Sequence, residues 1–167
     1  GYESIGLPEG LEIVGGEIRG NARRVGTYTV RVIAQNAAGR GEGVVTIGVR
    51  AKELSVSGLS VVSRVYDGTD VATLSGTATL QGIVSGDEVQ LEGAALGVFQ
   101  DRHVGAGKVV TVTGYSLAGA QAANYTLGTV RVLGTITAKS VSVSGFGLVS
   151  KAYDGTREAT LNGTAVV

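Results

Sequence analysis

The residues that could carry chemistry are few in this sequence, and they are scattered. His103 is the only histidine, and Asp101 is a nearby carboxylate. A catalytic triad needs a histidine placed between a carboxylate and an activated serine, and no serine here lies in a nucleophile-elbow motif. One histidine is also too few for a typical metal site. The sequence therefore predicts a solvated loop histidine and no catalytic residue.

The segment 105–108 has the sequence Gly-Ala-Gly-Lys, which invites comparison with a phosphate-binding loop. Such a loop needs a longer spacing between its glycines and a Ser or Thr after the lysine. Val109 follows Lys108 instead, and a strand-like pattern comes next. The sequence therefore predicts a structural turn at this position and no cofactor-binding residue.

Four acidic residues could in principle bind calcium, which takes oxygen ligands from loops. They are Asp67, Asp70, Asp87 and Glu88. They are scattered and form no Asp-x-Asp or Asp-x-Asn run, whereas Asp is also a common turn former. We therefore expect structural turns and no metal-binding residue, with calcium as the alternative.

Composition and charge argue against several classes of protein. Fourteen basic and fourteen acidic residues give a net charge of zero, whereas nucleic-acid-binding proteins usually carry a basic footprint. No apolar run is long enough to span a membrane, and the lack of cysteine rules out disulfides and thiolate metal sites. We expect no nucleic-acid partner and no membrane span in this segment. A chain that starts at Gly1 without any Met is also expected to be part of a longer protein.

One motif, Tyr-Asp-Gly-Thr, occurs twice and sets the organisation of the chain. It begins at Tyr66 and returns at Tyr153, 87 positions later. The flanking Ser-Val-Ser-Gly of residues 55–58 returns at 142–145 with the same offset. A fixed period of this length indicates tandem copies of one structural unit. In each motif the Asp should bond its downstream backbone, the Gly should take a positive φ, and the Tyr should pack. The structural turn residues are Tyr66, Asp67, Gly68, Thr69, Tyr153, Asp154, Gly155 and Thr156.

Alternation of apolar and polar residues predicts an all-β fold. Apolar side chains recur at every second position in residues 28–32, 45–49 and 110–112, as expected of half-buried antiparallel strands. Gly15-Gly16 can form a two-residue hairpin turn. Residues 125–137 are expected to form one long strand, with bulges or bends at its glycines. We predict tandem Ig-like or β-sandwich modules, mostly antiparallel.

The first part of the chain resembles the bacterial putative Ig (cadherin-like) repeat. The resemblance is carried by Gly-Leu-Pro-Glu-Gly-Leu at 6–11, Gly-Glu-Ile-Arg-Gly at 16–20, Gly-Thr-Tyr-Thr-Val at 26–30 and Ala-Gln-Asn-Ala-Ala-Gly at 34–39. It covers only the second half of such a domain, so we expect this module to be incomplete.

The next part resembles the YDG domain of large bacterial secreted and surface repeat proteins. The residues that carry this resemblance lie at 66–69, 74–78, 82–87, 104–108 and 124–127. The resemblance implies β-rich modules strung in tandem, often beside Ig-like repeats, in adhesin-like proteins. It also implies an extracellular location at the cell surface.

Three segments follow from these resemblances. Residues 1–52 are expected to be the C-terminal part of an Ig-like repeat, 53–139 a complete YDG-type module, and 140–167 the start of a second one. The predicted function is that of a non-catalytic stalk whose partners are neighbouring repeats or identical subunits. The alternatives are a recognition module that binds a surface glycan or a protein, and a subunit of a self-assembling filament.

Overall fold

The computed structural model describes all 167 residues, and nearly all of its regular structure is β-strand. The only helical segment is a three-residue 3-10 turn, Ala122–Asn124, so no helix of the chain could cross a membrane. The all-β prediction is confirmed. The strands are β1 Tyr2–Ile5, β2 Leu11–Val14, β3 Glu17–Gly20, β4 Gly26–Asn36, β5 Gly39–Val49, β6 Lys52–Val61, β7 Arg64–Val65, β8 Val71–Ala72, β9 Leu74–Gln81, β10 Gln90–Phe99, β11 Gly105–Ala118, β12 Tyr125–Leu127, β13 Val130–Thr137, β14 Ser144–Leu148 and β15 Leu161–Val166.

The first unit consists of a three-stranded antiparallel sheet, in the order β1-β4-β5, and the hairpin β2–β3. Gly15 and Gly16 join the hairpin with φ values of 60° and 89°, so the predicted two-residue turn is confirmed. In the larger sheet, Tyr28 lies opposite Ile47 and Val30 lies opposite Val45. The predicted alternation therefore places matching apolar positions side by side, and Val30 is fully buried.

The second unit is built from two sheets that share one core. A five-stranded sheet has the order β7-β13-β11-β10-β8, and a three-stranded sheet has the order β12-β6-β9. The larger sheet and its edge supply Ala72, Phe99, Val110 and Ile136 to the core, against which side chains of the smaller sheet, including Val61, pack. This arrangement agrees with a β-sandwich-like fold, which needs two sheets with facing apolar sides.

Most strand pairs are antiparallel, as predicted, but two are parallel: β12 with β6, and β13 with β7. The prediction of one long strand over 125–137 is wrong, because β12 and β13 lie in different sheets. The chain crosses between the sheets after Leu127. Gly134 is not a bulge but a site of close packing, since a Cβ there would lie 2.8 Å from the Phe99 ring.

The pair β6–β9 contains a bulge that changes which side chains face the core. Gly58 and Gly76 have φ values of 87° and 91°. A Cβ on Gly76 would lie 2.1 Å from the carbonyl oxygen of Gly58, so only glycine allows the two backbones to approach this closely. The register shifts between Ser57 and Leu59. Side chains that face the core therefore lie at even-numbered positions of β6 before the bulge and at odd-numbered positions after it.

The pair β14–β15 repeats the register of β6–β9 residue for residue. Leu59 lies opposite Gly76 in the first pair, and Phe146 lies opposite Gly163 in the second. Each of these residues is 87 positions from its counterpart. The register shift also recurs, between Ser144 and Phe146. The sequence repeat is therefore a structural repeat. The divisions at residues 52 and 139 stay predictions.

Candidate functional site

The first Tyr-Asp-Gly-Thr motif forms a tight turn between β7 and β8. The Asp67 Oδ1 accepts hydrogen bonds from the Thr69 backbone N–H at 2.9 Å and from the Thr69 hydroxyl at 2.9 Å. Gly68 has a φ of 85°, which confirms the positive φ predicted for it. The bonds from Thr69, together with the charge of Arg64, hold the pKa of Asp67 below its ordinary value. Asp67 is thus an ionised turn former.

Arg64 clamps this turn from the preceding strand. Its Nη1 donates to Asp67 Oδ2 at 3.1 Å and to Thr69 Oγ1 at 2.8 Å. Its Nη2 donates to the Thr69 carbonyl. Sequence reasoning did not single out Arg64. The available signal was that a basic residue stands three positions before the Asp in both copies, as Arg64 and Lys151.

The second motif has the same geometry with lysine as the clamp. Lys151 Nζ lies 2.9 Å from Asp154 Oδ1 and 2.7 Å from the Thr156 hydroxyl. The Thr156 backbone N–H donates to Asp154 Oδ1 at 2.9 Å, and Gly155 has a φ of 73°. The Lys151 hydrogen bond, followed by those from Thr156, lowers the pKa of Asp154. Both copies therefore use their charged groups to fix one turn.

The two tyrosines of the motifs differ. The Tyr66 backbone N–H donates to the Thr137 carbonyl at 2.8 Å, which ties the turn to the end of β13. Tyr66 as a residue is 37% exposed, whereas Tyr153 is 98% exposed. The prediction that both rings pack is therefore wrong for Tyr153, whose hairpin faces no second sheet.

Asp101 and Lys108 form an ion pair beside the loop that precedes β11. Lys108 is 9% exposed, and its Nζ donates to Asp101 Oδ1. The His103 backbone N–H also donates to Asp101, at 2.8 Å. The Lys108 bond and then the His103 bond lower the pKa of Asp101. His103 itself is exposed on the loop, as predicted.

The Gly-Ala-Gly-Lys segment does not form the predicted turn. Residues 105–108 begin β11, where the pairing with β13 shifts register between Gly105 and Lys108. The segment is therefore a bulged strand. Because it is a strand, it presents no loop of backbone N–H groups to a phosphate, and its lysine forms an ion pair with Asp101.

The four calcium candidates do not come together in one site. Asp67 belongs to its turn, Asp87 accepts a hydrogen bond from the Tyr125 hydroxyl, and the Glu88 backbone N–H donates to Gln121. No group of three or more His, Asp or Glu side chains has a metal-binding arrangement. Asp70 lines a cleft of about 370 Å³ with the 101–103 loop. Calcium binding stays an untested alternative.

Asn124 joins the first unit to the second. Its Nδ2 donates to the Arg23 carbonyl at 2.9 Å, and its Oδ1 accepts from the Val25 N–H at 3.1 Å. One side-chain amide thus pairs with a backbone N–H and C=O in the way that a neighbouring strand would. Sequence reasoning missed this role because no local pattern connects positions about a hundred residues apart.

Tyr125, the next residue, is buried in the second unit and stabilises the same region. It is 7% exposed, and its hydroxyl donates to Asp87 and accepts from the Val84 N–H at 3.1 Å. Removal of the ring from water, together with the Asp87 bond, raises the pKa of Tyr125. This network fixes the loop 84–87 against the residue that follows Asn124.

Comparison with models of protein families matches residues 50–132 to the model described as the YDG domain. The matched segment begins just before β6 and contains the first turn motif, its Arg64 clamp, and the Asn124–Tyr125 pair. A comparison with curated proteins found no match. Residues 50–132 of this chain therefore form a YDG domain.

Proposed function

We propose that this chain is a structural spacer: a segment of a large bacterial extracellular repeat protein in which β modules follow one another and hold other parts away from the cell. It performs no catalysis in this proposal. The extracellular setting is supported by the YDG domain at 50–132 and by the motifs that resemble an Ig-like repeat before it.

The observation that carries the proposal is the repeated register of β6–β9 and β14–β15. The equivalence extends to backbone bonds outside the strands. Val62 N–H donates to the Thr73 carbonyl at 2.9 Å, and Val149 N–H donates to the Thr160 carbonyl at 2.9 Å. A structural unit that recurs with the same register and the same backbone bonds supports a function that depends on the number of units and on the spacing between them, as in other repeat proteins.

The direct contact between the first unit and the YDG domain also supports a spacer. Asn124 donates one hydrogen bond to Arg23 and accepts one from Val25, and these bonds restrict the rotation of one unit against the other. A spacer keeps its two ends apart only if the joints between its units are stiff, because flexible linkers allow the chain to fold back on itself.

The charged side chains of the turns support the same reading. Asp67, Asp101 and Asp154 each accept bonds from a basic side chain and from a backbone N–H. Carboxylates held in this way stabilise the loops to which they belong.

A self-assembling filament is the second candidate, favoured by one observation. Leu148 and Leu161 occupy the positions of Val61 and Leu74, two residues that pack on the sandwich core. They are 70% and 58% exposed. An apolar sheet face of this kind favours contact with a further unit, either from the same polypeptide or from an identical subunit.

Small-angle X-ray scattering on fusions of one, two and three copies of residues 53–139 tests the proposal. The maximum dimension should rise in about equal steps as units are added. A matched set with flexible Gly-Ser segments at the unit boundaries should give shorter and broader distance distributions. Compact profiles for the direct fusions would overturn both the spacer and the filament. Lengthening only at high protein concentration would favour the filament.

A further inference from the structure

A wide concave surface lies where the first unit meets the YDG domain. It has a volume of about 1110 Å³, somewhat above the usual range of about 300–1,000 Å³ for ligand sites. The first unit contributes residues 20–25 to one wall, and the YDG domain contributes residues 84–87, 120–121 and 123–125 to the other. The Asn124 bonds and the Tyr125 network therefore determine its shape.

Basic side chains are concentrated in this cleft although the chain has no net charge. Its lining contains four cations and only two acids. Of the acids, Glu9 lies 3.5 Å from Arg23 and Asp87 accepts the Tyr125 hydroxyl bond. The remaining cations are exposed and form no ion pair: Arg24, Arg50 and Lys52. The Asp87 carboxylate keeps its negative charge, so the four cations of the lining exceed its two acids by two, and this excess gives the concavity a positive potential.

We propose that this cleft binds an anionic polysaccharide, a sugar chain that carries carboxylate or sulfate groups. The two guanidinium groups of Arg24 and Arg50 suit such groups because an arginine fork donates two parallel hydrogen bonds to a planar or tetrahedral oxyanion. Lys52 adds a third positive charge. The open shape of the cleft suits an extended polymer that lies across the joint.

The lining also discriminates between kinds of sugar and between classes of polymer. Its only aromatic residue is Tyr125, and that ring is 7% exposed with its hydroxyl already bonded. Neutral sugars and unpaired nucleic-acid bases are commonly held by stacking on exposed aromatic rings, and this cleft offers none. The lack of an exposed ring therefore favours an anionic glycan over a neutral glycan and over a nucleic acid held through its bases.

Isothermal titration calorimetry on the 167-residue chain tests the proposal with four polymers: polygalacturonate, dextran sulfate, neutral dextran and single-stranded DNA. Binding of polygalacturonate alone assigns carboxylated glycans, binding of dextran sulfate alone assigns sulfated ones, and binding of both assigns anionic glycans in general. Binding should weaken as salt is raised. Failure of both anionic polymers, or equal or tighter binding of DNA, would overturn the proposal.

Variants show whether the cleft is responsible. The triple variant Arg24→Gln, Arg50→Gln and Lys52→Gln should weaken binding about tenfold, from the loss of three exposed charge contacts. The control removes as much charge elsewhere, by Arg40→Gln, Arg131→Gln and Lys139→Gln, and should change binding less than about twofold. Equal losses would overturn the proposal.

Asn124→Ala separates the cleft from a diffuse basic surface. It removes no charge, but it removes the two hydrogen bonds that Asn124 makes between the units that form the walls. Binding should fall severalfold while circular dichroism still shows folded β-structure. Unchanged binding would contradict a cleft whose shape depends on the Asn124 joint.

Discussion

The guanidinium of Arg64 lies over the ring of Phe99, 5.5 Å from the ring centroid. Phe99 is 2% exposed and belongs to the sandwich core. The same guanidinium donates to Asp67 and Thr69 in the turn. One side chain therefore connects the Tyr-Asp-Gly-Thr turn to the core of the YDG domain.

Replacement of Arg64 should reveal both parts of this connection. Arg64→Lys should cost about 0.5–1 kcal/mol, since the second copy shows that lysine can hold the turn but lysine lacks the planar group over Phe99. Arg64→Ala should cost about 2–3 kcal/mol because it also leaves turn acceptors without a donor. Urea denaturation measures both values. Equal losses would contradict a separate role for the turn bonds.

Two glycines with similar backbone conformations should respond differently to alanine. Gly58 and Gly68 have φ values of 87° and 85°. An alanine at position 68 meets open space, whereas its Cβ at position 58 would lie 2.2 Å from the Thr77 carbonyl oxygen. Gly68→Ala should therefore cost about 1–2 kcal/mol from strain, and Gly58→Ala at least about 3 kcal/mol.

The denaturant midpoints of these two variants, measured side by side, check the order. Gly68→Val should cost more than about 1 kcal/mol, since a β-branched residue is penalised at positive φ. A Gly68→Val midpoint equal to that of the unchanged protein would mean that the turn has another geometry in solution.

Stability should fall when the protein is acidified, because the pKa values of Asp67, Asp101 and Asp154 are all lowered in the folded chain. A lowered folded pKa adds stability at pH values above the unfolded pKa, which is about 3.9. That stability is lost as the pH falls through the folded value. The urea midpoint should therefore stay level near neutral pH and drop below about pH 4.

The variant Asp67→Asn should flatten this acid decline, since it removes one of the groups that must be protonated. Asp70→Asn is the control, because Asp70 belongs to the same turn region but forms no ion pair. Equal acid declines in the two variants would show that the Asp67 bonds do not contribute.

The fold was predictable wherever a local pattern determines it. Alternation in β4, β5 and β11 identified strands, because side chains on a strand point to opposite faces in turn. Gly15-Gly16 and Asp67-Gly68 identified turns, since positive φ strongly favours glycine. Because the motif is repeated, the turn predicted for the first copy was also predicted for the second. These signals need no knowledge of distant contacts.

Other features depended on contacts that local patterns do not encode. Residues 125–137 read as one strand because both halves are apolar, and only the pairing partners of β12 and β13 separate them. The Gly-Ala-Gly-Lys segment suggests a phosphate loop for Lys108, yet Lys108 alternates with Val110 and Val112 and so occupies an inward position. This shared alternation indicates that Lys108 is buried with the two valines, and a buried lysine needs an ion-pair partner.

The joint at Asn124 leads to a prediction about the orientation of the two units. Because the chain has no cysteine, spin labels can be attached through two introduced ones, Arg40→Cys in the first unit and Arg131→Cys in the YDG domain. Pulsed electron paramagnetic resonance should give a narrow distance distribution for these labels. Asn124→Ala should broaden it, since both hydrogen bonds to residues 23–25 are lost.

The matched control for this measurement is Asn162→Ala, which removes an exposed amide in β15, far along the chain from the joint. Its distance distribution should equal that of the protein with Asn at both positions. A distribution that stays narrow in Asn124→Ala would mean that other contacts hold the units, and that neither the stiffness of the joint nor the shape of the cleft depends on this side chain. Broadening confined to Asn124→Ala would assign to one amide the coupling between units that a spacer requires.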